Sequence, residues 1–116
     1  MNSINLTGRL TADPEMRTTH SATAVTQFRL AVQRRRGRNG EDRGAVYVDV
    51  VSFGGLAESV GEYLTKGRQV AVSGRLELDE WETDAGERRS RHQVIADEVE
   101  FLGARRQDDD SEEASS

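Results

Sequence analysis

Only one stretch of this chain spaces its apolar residues as a helix does. In GLAESVGEYLTKG, residues 55–67, the apolar Leu56, Val60, Tyr63 and Leu64 recur at intervals of three and four, and Gly67 stands where a helix C-cap belongs. The other apolar residues mostly alternate with polar ones, which is the period of a half-buried strand. The first strand is expected at INLTGRL, with Ile4, Leu6 and Leu10 on one face and Asn5, Thr7 and Arg9 on the other. Gly8 interrupts its apolar face, which points to a bulge or a close backbone approach. TADPEMR follows as a turn around Pro14.

A second strand is expected over residues 24–32, with Phe28, Leu30 and Val32 opposed to Gln27, Arg29 and Ala31. A fourth begins near residue 68, where Val70, Val72, Gly74, Leu76 and Leu78 share a face. Ala71, Ser73, Arg75, Glu77, Asp79 and Trp81 share the opposite one. A turn at residues 84–86 leads to a fifth strand over residues 92–101. Five strands with one helix between the third and fourth is the order of an OB-fold, a small partly open all-β Greek-key barrel. Strand spacing alone does not separate this from other small barrels.

The third strand, AVYVDVVSFGG, poses the functional question. Val46, Val48 and Val50 form an ordinary core face. Tyr47, Asp49, Val51 and Phe53 form the other, and two rings, a valine and a carboxylate suit neither a clean core nor clean solvent. Just before it, residues 33–44 read QRRRGRNGEDRG, with three glycines, five arginines and no apolar residue. This is expected to be a long mobile hairpin loop.

Charge is uneven along the chain. The net charge is −5, yet the last ten residues hold five of the 21 acidic residues and no basic one, so the rest balances at zero. A neutral body therefore carries a local basic patch, formed by Arg34, Arg35, Arg36, Arg38 and Arg43, and an acidic tail. Lys66 is the only lysine among 16 basic residues, a bias that a GC-rich genome explains as readily as phosphate recognition does. No run approaches the roughly 18 apolar residues that span a membrane, and the N-terminus does not read as a secretory signal. There is no cysteine, hence no disulfide or thiolate chemistry. A cytoplasmic protein is expected.

Several blocks stand in the order and spacing of one family. GRLTADPEMR, FRLAV, VVSFGGLAESVGEYLTKGRQVAVSGRL and EWETDAGERR resemble bacterial single-stranded DNA-binding proteins, and the resemblance covers residues 1–102. It implies an OB-fold domain over residues 1–103 with a disordered acidic tail at 104–116. It further implies a homotetramer that coats single-stranded DNA in replication, recombination and repair, associated with the nucleoid. Tyr47, Phe53 and Trp81 match the family's stacking aromatics, which answers the question of the third strand. Every base has a π-face, so such a grip tolerates any sequence and contributes ~1–3 kcal/mol per base in single-strand binders of this kind. Arg34, Arg35, Arg36 and Arg38 are expected to pair with phosphates, because guanidinium groups bind them bidentately. Arg17, Arg75 and Lys66 complete the expected nucleic-acid contacts. Phe28, Tyr63 and Phe101 are assigned to core or subunit packing.

The departures from the family are specific. Arg36 stands where members often carry a tryptophan, which removes a stacking position. Asp79, Glu80 and Glu82 surround Trp81 where members are often basic, and Asp49 also lies on the proposed binding face. Carboxylates there repel phosphate unless neighbouring arginines pair with them. The tail ends in DDDSEEASS without the family's glycine- and proline-rich linker or its terminal proline–phenylalanine pair. It reads as that of a short accessory paralogue with few tail-docked protein partners.

Other functions have less support. His20 and His92 have no partner at metal-ligand spacing, and the aspartates of the tail read as a solvated charge run. No nucleophile–base pairing or phosphate-binding glycine loop is present, so no enzyme, cofactor or metal site is expected. The serious alternative is an OB-fold interaction module whose DNA surface has been repurposed.

Overall fold

Strand pairing follows the alternation closely. The computed structural model of the protein describes residues 1–35 and 37–103. Its elements are β1 (Ile4–Leu10), β2 (Glu15–Thr18), β3 (Ala24–Gln33), β4 (Ala45–Phe53), α1 (Gly54–Tyr63), β5 (Gln69–Glu82) and β6 (Arg88–Phe101). The sheet runs β1-β5-β6-β4-β3-β2, and β1 also pairs with β3. That extra pairing closes five strands into the barrel of an OB-fold, with β4 and β6 parallel and the other pairs antiparallel.

Three of the expected elements need correction. Glu15–Thr18, read as part of a turn, is a sixth strand laid on the edge of β3, with Glu15 opposite Gln27 and Thr18 opposite Ala24. All four of its residues are exposed, so it carries no burial alternation to read. The helix ends earlier than expected, with Leu64 in extended backbone as its C-cap. Gly67 belongs instead to the turn that feeds β5, where its N–H donates to the Leu10 carbonyl. The fifth expected strand starts at Arg88 rather than residue 92, which lengthens the β5–β6 hairpin. The expected tail, residues 104–116, lies outside the described residues.

The bulge falls at a different glycine. Gly8 sits in regular register opposite Val70, and a Cβ there would collide with the Ala31 carbonyl oxygen of β3. It is the close backbone approach at which β1 crosses to close the barrel. The register shift lies instead between Ser73 and Gly74, opposite Ala96 and Glu98. Asp97 is the additional residue on β6, so Val99 turns inward while Ile95 faces outward.

The barrel interior holds Phe28, Leu30, Val50, Val70, Val72 and Val94, and Val60 and Leu64 bring α1 against one end of it. A second, smaller cluster of Val25, Val51 and Ile95 lies on the opposite face of the same strands. Phe28 is in the core as expected. Tyr63 and Phe101 are not: they stand half-exposed with ring centroids 6.4 Å apart, packed on each other.

Two buried hydroxyls under α1 behave differently. Thr26 and Ser52 face each other across β3 and β4, and both are fully buried. Thr26 Oγ1 donates to the Ala57 carbonyl at 2.6 Å, which ties β3 to the helix. Ser52 Oγ has no hydrogen-bond partner among the described residues. Thr26→Val is expected to cost about 1–2 kcal/mol in urea unfolding, whereas Ser52→Ala removes only an orphan polar atom and leaves stability equal or higher. A larger loss for Ser52→Ala than for Thr26→Val contradicts this assignment.

Candidate nucleic-acid interface

Residues directly opposite in a ladder share a face, and the registers gather most of the expected contacts on one outer face of the barrel. On β4 it carries Tyr47, Asp49, Val51 and Phe53. Beside them on β3 are Ala31, Arg29, Gln27 and Val25, and β2 adds Arg17 opposite Val25. On the other flank β6 contributes Gln93 and Ile95, followed on β5 by Arg75, Glu77, Asp79 and Trp81. Tyr47 is 55% exposed, Phe53 48% and Trp81 45%, against 4% for the core ring of Phe28. All three rings therefore present a face to solvent. Val51, between the two β4 rings, is buried because Val25 and Ile95 flank it.

Tyr47 lies near the β3–β4 loop and Phe53 at the far end of β4, six residues or about 20 Å along the strand. The loop continues the face at its Tyr47 end. Arg34 follows β3 directly and its N–H donates to the Gly44 carbonyl. Arg34, Arg35 and Arg38 are exposed there, and Arg36 lies outside the described residues. Lys66 is not on the sheet face. It sits in the turn between α1 and β5, where its backbone N–H donates to Asp13 Oδ1 at 2.8 Å.

Two arginines that carry no signal in the sequence complete the face. The guanidinium carbon of Arg29 lies 5.3 Å from the centre of the Tyr47 ring, and that of Arg91 lies 5.6 Å from the Trp81 ring. Both separations are within cation–π range. Arg91 also reaches Asp49 Oδ2 at 3.7 Å and Asp79 Oδ2 at 3.5 Å. Arg75 pairs with Glu77 at 3.1 Å and with Asp97 at 3.6 Å. Arg17 donates to Gln27 Oε1 at 3.4 Å. The carboxylates on this face are thus matched by arginines. Glu80 and Glu82 are not part of it: alternation puts them on the other side of the hairpin, where Glu80 pairs with Arg88 at 3.8 Å. Of the acids around Trp81, only Asp79 shares its face.

The surface is open. A shallow groove lined by Thr11, Arg29 and Tyr47 runs along it. Among the described residues no group of acids or histidines is arranged to hold a metal ion. Exposed rings next to guanidinium groups can stack planar groups and neutralise a polyanion.

Residues 1–102 match the family model described as the single-strand binding protein family. The chain belongs to that family. Its fold is accordingly the family's OB-fold. A single-stranded DNA-binding protein of Clostridium tetani is 45% identical over 103 residues, covering 88% of this chain and 70% of the relative. One from Thermotoga maritima is also 45% identical over 103 residues, covering 87% and 73%. Single-stranded DNA-binding protein 1 of Staphylococcus aureus is 38% identical over 113 residues, covering 97% and 72%. As in other single-strand binding proteins, no enzymatic chemistry is assigned to the chain. No described helix is long and apolar enough to cross a membrane.

Proposed function

We propose that this chain binds single-stranded DNA without sequence preference and protects it during replication, recombination and repair in the cytoplasm. Bases stack on Trp81, Phe53 and Tyr47, while Arg17, Arg75 and the loop arginines Arg34, Arg35, Arg36 and Arg38 contact phosphates. Lys66, set apart from the face, contributes only to a strand that continues round the barrel. The supporting observation is three half-exposed rings on one sheet face, two of them under guanidinium groups. Stacking with flanking cations is how single strands are held without reading their bases. Trp81 is the only tryptophan, so its fluorescence reports on the site directly. Titration with oligo(dT) is expected to quench it saturably. An unchanged signal, with no binding by a second method, favours the interaction-module reading instead.

The active assembly is a homotetramer built as a dimer of dimers. β1 pairs with β5 on one edge but with β3 only at Arg9 and Leu10, so the rest of its second edge is open. A free edge of this kind pairs readily with its own copy across a two-fold axis. Light scattering is expected to give about four times the chain's 12.9 kDa at micromolar concentration, and a monomer overturns this assembly.

A further inference from the structure

Arg91 stands at the junction of the face. It rises from β6 next to the Trp81 ring, and its two carboxylate partners come from different strands, Asp49 from β4 and Asp79 from β5. The pairing is loose. Both distances exceed ordinary hydrogen-bond length, and the Nε atom, though shut off from solvent, makes no hydrogen bond. All three side chains remain partly exposed, at 38% for Arg91, 30% for Asp49 and 40% for Asp79. A guanidinium held by two distant carboxylates and a ring, with an orphan donor, is poised for a better acceptor. Phosphate oxygens, to which a guanidinium donates bidentately, are that acceptor.

We propose that Asp49 and Asp79 hold Arg91 as a cover over one face of the Trp81 ring in the DNA-free protein, and that an arriving single strand draws Arg91 onto a phosphate, uncovering that face for a base. Arg91 is then a DNA-contacting residue, and Asp49 and Asp79 are positioning residues that act through it. The carboxylates imitate phosphate until DNA arrives, so they lower affinity while keeping that one face covered. This rests on the proposed single-strand binding function and adds a competition within the protein for the same cation.

Oligo(dT) binding across a salt series tests the idea. Each phosphate neutralised on a single strand adds about 0.7 to the log–log salt slope. Arg91→Gln is therefore expected to bind more weakly and to flatten the slope by about 0.7. The double variant Asp49→Asn, Asp79→Asn is expected to bind about 3–10-fold more tightly at low salt, with the parent's slope, since Arg91 reaches phosphate in both. In the DNA-free state, acrylamide should quench Trp81 more readily in either variant. If Arg91→Gln is too unstable to measure, Arg91→Lys decides: it keeps the charge and the slope but lacks the flat cover, so Trp81 becomes more accessible. An unchanged slope in Arg91→Gln overturns the proposal, as does parental or weaker binding by the double asparagine variant. Trp81 accessibility that stays at the parent's value in Arg91→Lys does so too. If the parent itself fails to bind oligo(dT), the function falls as a whole. If the parent binds and Phe53→Ala weakens it while the Arg91 results are negative, only the cover is wrong.

Discussion

Phe53→Ala weakens oligo(dT) binding by about 1–3 kcal/mol at every salt concentration and leaves the salt slope unchanged, because a stacking contact neutralises no phosphate. Arg34→Ala combined with Arg35→Ala does the opposite. It flattens the log–log salt plot by up to about 1.4, roughly 0.7 for each phosphate that goes unneutralised, with its largest effect at low salt. The contrast follows from position. Phe53 lies at the end of β4 on the sheet face, half-exposed and opposite Val25, while the two arginines leave the face at the start of the β3–β4 loop. Phe53→Ala should melt close to the parent, since the ring is not in the barrel core. Parental binding by Phe53→Ala, or a full slope in the arginine variant, means that stacking and charge are not divided between these residues.

Gly74→Ala is the most damaging small substitution expected. A Cβ at residue 74 would run into the Ile95 carbonyl oxygen of β6, a backbone atom that cannot move without breaking the ladder. A loss of about 3 kcal/mol or more is expected in denaturant unfolding. Gly55→Ala is the matched control. A Cβ there meets nothing within 4 Å and the residue lies in α1, so the same methyl is expected to be neutral or slightly stabilising. Equal effects at the two sites would mean that the bulge tolerates a side chain.

Much of this was legible in the residues themselves. Alternation located β1, β3, β4 and β5, and the odd mixture on the second face of β4 pointed to the exposed rings. What alternation cannot express is register. Arg29 and Arg91 look like ordinary solvent-facing arginines until the pairing sets Arg29 opposite Asp49 and Arg91 opposite Asp79, beside rings two residues further along. Gly8 and Gly74 likewise interrupt their strands in the same way, yet one marks a backbone crossing and the other a bulge. β2 is invisible for a different reason. With all four residues exposed, its stability comes from hydrogen bonds to the edge of β3 and not from a buried face.

The seam between β1 and β5 also constrains the order in which the chain can assemble. Ile4 pairs with Gly74 and Arg9 with Gln69, so β1 is made well before its main partner, β5. The β3–β4 hairpin, closed by one loop, can form as soon as it emerges, and the β5–β6 hairpin likewise. Most of β1 must wait, with Leu6 unburied, until β5 has been released. Closing so long a loop costs entropy before any contact offsets it, which makes this step a slow one in folding. During that wait the exposed strand can as easily pair with a neighbouring nascent chain, so synthesis rate and local crowding on a polysome set how much of the protein reaches the closed barrel.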